Sequence, residues 1–322
     1  MILQSLCLST EMPAELYYRG EARVDDSALS VGPGGSVSFD TYFNMFSAAV
    51  WRLYTSVEAV TVKATVEGEG EAVLFGIDGD AVQCREICRA SFSGNGVTVL
   101  TLIEHAGIDA LPGHVFLRIE AGKAPVRVRR VDYIARPADT REIRLACCFC
   151  TYRREKDILR NIERLCSGIL DDPASPLHGR TEIYVADNGH TLSGMPGIER
   201  PGVKVFENVN AGGAAGFTRC MIEAVLRRTG ERFTHVILMD DDAVIEPCVI
   251  ERTGSLLSCL RPEHRDRMVG GAMLCAERPG RQLENGSWLN LKNARLTIRG
   301  SNRDLTSLRE VLENEADGAP VN

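Results

Sequence analysis

Three aspartates in a row, Asp240, Asp241 and Asp242, follow the apolar run Val236-Ile237-Leu238-Met239. Adjacent carboxylates at the end of a buried strand repel one another and are expensive to desolvate unless a cation compensates them. Side chains alternate along an extended backbone, so Asp240 and Asp242 face one side and Asp241 the other. Asp240 and Asp242 could therefore hold one hard divalent ion, with substrate phosphates and water completing its oxygen ligands. The competing explanation is an acidic cluster at a helix start before Pro247, where aspartates are stabilising. A position directly after a buried strand in an alternating strand–helix pattern favours the ion.

Three further clusters have the makings of a ligand site. The segment 208–219 (NVNAGGAAGFTR) combines small residues, which let a ligand approach the backbone, with a following helix start whose free N–H groups suit phosphate. It lacks the G-x-G-x-x-G fingerprint and the P-loop lysine, which argues against an ordinary Rossmann or NTPase site. In Cys150-Thr151-Tyr152-Arg153-Arg154 an arginine could stack on a base or pair with a phosphate, or simply sit at a solvated helix start. Asp187, in Asp187-Asn188-Gly189, could accept from a nucleoside or close an Asx-turn. None of the six histidines has a metal partner at helical spacing.

These clusters need a scaffold, and the pattern around them supplies one. From residue 141 onward, apolar runs at 143–149, 181–186, 203–206 and 235–239 read as strands. Between them lie helical patterns: Ile158, Ile162 and Leu165 on one face, and Phe217, Met221, Ala224 and Val225 on another. Pro247 suits the first turn of a further helix. Alternating strands and helices predict an α/β domain with a mainly parallel sheet, and every polar cluster falls at a strand's carboxyl end. Residues 1–138 read differently, as short alternating runs punctuated by glycine turns. That pattern predicts an all-β sandwich or jelly roll, with a short turn within 41–51. A linker is expected at 136–140, and the polar tail 314–322 should fray.

With 322 residues, 44% hydrophobic and 25% charged, the chain has material for two packed domains. Its net charge of -7, from 37 basic and 44 acidic residues, excludes the basic stripe of a nucleic-acid binder. Eleven cysteines in a chain of this length read as reduced core thiols, which places the protein in the cytoplasm. Neither a signal peptide nor a membrane-spanning run is expected.

Taken in order, the clusters resemble a GT-A glycosyltransferase that uses a nucleotide-diphosphate sugar. More narrowly, they resemble the bacterial polymerising galactofuranosyltransferases. The likeness rests on C-T-Y-R-R at 150–154, A-D-N-G at 186–189, N-x-N-A-G-G-A-A-G-F-T-R at 208–219, M-D-D-D at 239–242 and F-D-T-Y-F-N-M-F-S-A-A-V-W at 39–51. It implies a β-sandwich domain over 1–138 and an incomplete GT-A-type nucleotide-binding α/β domain over 139–322. It also implies a UDP-sugar donor, with galactofuranose as the sugar, and a glycan acceptor. Homo-oligomerisation is a family precedent, and a lipid-linked acceptor would draw the protein to the inner face of the membrane.

Position by position, the resemblance puts Thr151 and Arg154 near the uracil, Asp187 and Asn188 on the nucleoside, and Asn210, Gly212 and Gly213 beside the diphosphate. Asp241 joins the donor site, and Asp240 and Asp242 bind Mg²⁺ or Mn²⁺. The family's catalytic base is an aspartate beside a tryptophan pair, followed by a histidine metal ligand. This chain has only Trp51 and Trp288, neither with a tryptophan neighbour, and His264 is the only histidine after His235. The base is therefore expected beyond residue 322. Two other readings compete: a sugar nucleotidyltransferase, and a non-catalytic carbohydrate-binding module with a decayed transferase domain.

Overall fold

The computed structural model describes residues 1–25, 28–79, 83–227 and 229–317. The chain forms two compact units, Met1–Asp139 with Leu260–Asn322, and Thr140–Cys259.

The first unit is built on two antiparallel sheets. One runs Ala22–Asp25, Ala28–Val31, Val126–Ala135, Ala59–Glu67 and Val97–Gly107, with Ile2–Ser5 also pairing to Val126–Ala135. The other runs Arg19–Gly20, Ser36–Ser38, His114–Ala121, Gly70–Ile77 and Cys84–Phe92. Alternation puts Val60, Val62, Ala64 and Val66 of the first sheet and Leu117 and Ile119 of the second in fully buried positions. The Tyr133 hydroxyl donates to the Val115 carbonyl at 3.3 Å, and Phe46 stacks on the Tyr133 ring with centroids 4.4 Å apart. The two sheets thus close face to face as a sandwich. The turn expected within 41–51 is present, with the Asn44 and Met45 N–H groups donating to the Thr41 carbonyl. A short helix, Ala48–Tyr54, follows it, capped by Ser47, which accepts from the Val50 N–H.

The sequence pattern assigns residues 260–322 to the α/β half, but they group with the sandwich. Leu260 bridges Thr55, the Arg261 guanidinium donates to the Arg52 carbonyl, and Arg265 pairs with Asp139. The tail expected to fray is a helix, Leu308–Asp317, as far as it is described. Asn314 is buried in a reciprocal amide pair with Gln282, and Glu315 meets His114 at 2.9 Å and also accepts from Ser47. Periodicity in so short and acidic a segment could not reveal these long-range polar partners.

The second unit is a four-stranded parallel sheet ordered Val203–Glu207, Thr181–Asp187, Leu145–Thr151, His235–Asp240, so by sequence the strands lie 3-2-1-4. Helices Glu155–Leu165, Gly212–Met221 and Pro247–Cys259 connect or follow the strands. The two central strands, Leu145–Thr151 and Thr181–Asp187, are buried on both faces, while Val203–Glu207 and His235–Asp240 are only partly covered. Ala146, Cys148, Tyr184 and Ala186 form one cluster with Cys220 and Ala224, while Cys147, Phe149, Ile183 and Val185 alternate to the other face and are fully buried. The inward face of the Gly212–Met221 helix is Gly216, Cys220 and, one turn on, Ala224. This corrects the expected face of Phe217, Met221, Ala224 and Val225: Val225 is 50% exposed. The small residues win because they let the helix lie against the strand.

Nine cysteines are free thiols; Cys7 and Cys248 are not among them, a departure from the expectation of an all-reduced set. Burial pushes the Cys147 thiol up to about 12, so it stays protonated and packs as a small hydrophobe. No helix among the described residues is long and apolar enough to cross a membrane.

Candidate functional site

In a 3-2-1-4 sheet the first and fourth strands are neighbours and the strand order reverses between them, the point at whose carboxyl ends open α/β sheets have their ligand crevice. The parallel register sets Cys150 beside Asp240 on one side and Thr151 beside Asp187 on the other, with Asp187 beside Glu207. The loops carrying the predicted residues are thereby brought to one edge.

They are also tied together. The Asn188 N–H donates to the Thr151 carbonyl at 2.9 Å, and the Asn208 N–H to the Asp187 carbonyl at 3.0 Å. The Asn208 side-chain amide donates to Asn188 Oδ1 at 2.8 Å, and Asn188 Nδ2 donates to Cys150 Sγ at 3.3 Å. Asp187 is fully buried and adopts the Asx-turn geometry. Its carboxylate accepts from the N–H groups of Gly189, Thr191 and Leu192 at 3.0, 2.8 and 2.8 Å. A carboxylate engaged in this way shapes the 188–192 loop. A cavity of about 260 Å³ lies beside it, lined by Leu192, Ile198, Val203, Val205 and Glu207 among others.

The strand ends at Asp240, and Asp241 and Asp242 lie in a turn that the Ala243 N–H closes on the Asp240 carbonyl at 3.3 Å. The separation of the three aspartates therefore comes from the turn and not from the extended backbone expected. Asp241 turns inward and accepts from the Thr151 hydroxyl at 2.7 Å, while Asp240 and Asp242 remain exposed. The Arg154 guanidinium donates to Asp242 and lies 3.5 Å from Asp241 Oδ1. This pairing raises the arginine's pKa. Burial, followed by the nearby Cys220, Asp241 and Asp240, pushes the Cys150 thiol upward, so Cys150 is a poor nucleophile. Asn210, Gly212 and Gly213 sit on the exposed approach to the third-strand helix. Asn210 Oδ1 accepts from the Gly212 N–H at 3.2 Å, and Gly212 has φ +81°, a conformation that favours glycine.

The sequence reading overlooked two residues here, Asn208 and Asn161. Asn161 is fully buried in the helix Glu155–Leu165, and its Nδ2 donates to the carbonyls of Asp241 and Ala243 at 2.8 and 2.7 Å. The signal was present: Asn161 completes the i, i+3, i+4, i+7 stripe of Ile158, Ile162 and Leu165 as its one polar member. Replacing it with leucine keeps the branched shape, adds some bulk and orphans both carbonyls. Asn161→Leu should lower unfolding stability by about 1–3 kcal/mol, read by urea titration. An unchanged midpoint would remove Asn161 from the account of this loop.

Among the described residues no group of three or more His, Cys, Asp or Glu side chains is assembled as a metal cage.

The chain has known likenesses. Residues 14–97 match the family model described as Galactofuranosyltransferase 2 N-terminal. Galactofuranosyltransferase GlfT2 of Mycolicibacterium smegmatis is 26% identical over 264 residues, covering 79% of this chain and 38% of that protein. GlfT2 of Mycobacterium tuberculosis is 24% identical over 261 residues, covering 79% and 39%. The chain thus spans about two fifths of the length of these relatives, and the likeness is to glycosyltransferases. A solved carbohydrate-binding module of family 29 covers 41% of this chain and 84% of its own at 11% identity, but its TM-score of 0.28 carries no argument.

Proposed function

We propose that the Thr140–Cys259 unit is the nucleotide-sugar half of a GT-A-type glycosyltransferase. The sugar is galactofuranose, carried by UDP and delivered with inversion to a glycan acceptor. One observation carries the reading: the strand ends at the switch point bring Asp240 and Asp242 into one crevice with Arg154, beside the loop that Asp187 orders. The similarity to the GlfT2 proteins supports the reaction class and the sugar.

In this reading the 188–192 loop and Asn188 border the nucleoside. The N–H groups at the start of the Gly212–Met221 helix, with Asn210, face the diphosphate. Asp240 and Asp242 hold Mg²⁺ or Mn²⁺, which supplies Lewis-acid stabilisation of the departing diphosphate. Inversion requires the acceptor oxygen to bond to the anomeric carbon as its bond to UDP breaks, with the hydroxyl proton passing to a base. No residue of this chain is assigned that base.

The test is calorimetric titration of UDP with and without Mn²⁺. Binding should require the metal, and Asp240→Ala should abolish that requirement together with most of the affinity. Metal-independent UDP binding overturns the reading. Glycan binding without any UDP binding would favour a carbohydrate-binding module.

A further inference from the structure

Arg154 and Asp242 straddle the crevice: the arginine follows the first strand and the aspartate the fourth, and their side chains are hydrogen-bonded. The three members of the acidic run differ in how they are satisfied. Asp241 is 10% exposed at its side chain and held by the Thr151 hydroxyl, so it is fixed. Asp242 is 53% exposed and Arg154 50% exposed, so their pair is open to water and easily exchanged. Asp240 is exposed. The carboxylate that Arg154 contacts is thus one that a dication shared by Asp240 and Asp242 must use. A guanidinium and a dication in contact with the same carboxylate oxygens repel each other, and one must leave.

Resting on the reading proposed above, we infer that Arg154 is a positioning residue with two alternative partners. Without ligand it is the counter-cation of Asp242 and keeps the acidic run from repelling itself apart. The dication displaces it, and the freed guanidinium turns to the diphosphate, whose oxygens its planar fork matches. A consequence follows from linkage. Metal alone must displace Arg154 with nothing to receive it, whereas bound nucleotide offers the arginine a new partner. Metal and nucleotide therefore bind with positive coupling, and Arg154 carries much of that coupling. Thr151 and Asp241 stay in place in both states, a fixed wall against which the arginine moves.

The experiment is titration of Mn²⁺, followed by the loss of the free-ion paramagnetic resonance signal, with and without UDP. The proteins are the parent, Arg154→Met and Arg153→Met. Arg153 is the control, because it removes the same charge one residue away while its guanidinium lies over the Tyr152 ring at 5.2 Å. In the parent, UDP should tighten Mn²⁺ by about tenfold or more, a coupling of the usual size. In Arg154→Met, Mn²⁺ alone should bind about fivefold tighter, the loss of one exposed ion pair. The tightening by UDP should shrink to about threefold or less. Arg153→Met should follow the parent.

If Arg154→Met leaves Mn²⁺ affinity unchanged or weaker while the parent still binds UDP only with Mn²⁺, the inference falls and the functional reading stands. Equal behaviour of the two arginine variants also overturns it, because the effect would then be general charge. If the parent binds no UDP in the presence of Mn²⁺, both fall.

Discussion

Asp187→Ala should lower the thermal midpoint of the parallel-sheet unit by roughly 10–20 °C, one of the two largest effects expected of any single change here. The carboxylate is fully buried and accepts three backbone N–H groups, from Gly189, Thr191 and Leu192. Charge-assisted bonds of this kind are stronger than neutral ones, and removing the acceptor leaves the donors unpaired where Leu192 is buried. Together these amount to about 3–5 kcal/mol. Asp187→Asn keeps one acceptor oxygen and should show about half that loss. Because the Asp187 carbonyl also holds the Asn208 N–H, and Asn208 holds Asn188, metal-dependent UDP affinity should fall as the loop loosens. Scanning calorimetry decides the matter: a shift under about 3 °C for the alanine variant would mean that the loop is ordered by something other than this carboxylate.

How far the chain could be read in advance depended on what each feature requires. Four strands and three helices of the α/β unit were legible because their apolar runs are long and end in polar clusters, and each observed strand lies within two residues of its expected bounds. Strand alternation anticipated that Asp241 would part from its neighbours, but the backbone does it by a turn after Asp240, with Asp241 inward beside Thr151. The alternatives at Asp187 could not be resolved in sequence, since an Asx-turn and a nucleoside contact need the same residue; three short N–H contacts identify the turn geometry. Pairwise facts were illegible. Arg154 with Asp242, and Asn161 with the Asp241 carbonyl, join residues about eighty or more positions apart, and no local pattern encodes such a meeting. The return of residues 260–322 to the sandwich unit was hidden for the same reason. Trp288, one of the two tryptophans, has its side chain outside what is described.

The glycine that matters most in segment 208–219 is not one of the pair expected to face a diphosphate. A Cβ on Gly216 would stand 2.1 Å from Cys150 Sγ and 2.9 Å from Cys150 Cβ, whereas one on Gly213 would meet only the Phe217 ring, at 4.0 Å. Gly216 is therefore the point of contact between the third-strand helix and the first strand, at the level where Asn188 also reaches Cys150. Gly216→Ala gains about 1 kcal/mol of helix propensity but must displace a sulfur in a packed interface, an overpacking penalty of about 1–3 kcal/mol or more. The second term should win, because the strand is central in the sheet and buried on both faces and cannot retreat. The same displacement pushes on Asn188, so metal-dependent UDP affinity should fall about tenfold, the equivalent of about 1.4 kcal/mol. Cys150→Ala removes the nearer of the two obstructing atoms but leaves the Cβ at 2.9 Å and removes the acceptor of Asn188 Nδ2. The double variant should therefore recover part of the stability loss and less of the affinity loss. The coupling energy should be about 1–3 kcal/mol in a double-mutant cycle on urea midpoints. A Gly216→Ala protein as stable as the parent, or a double variant no better than the single, would show that the helix can slide off the strand. In that case the crevice would not be set by this contact.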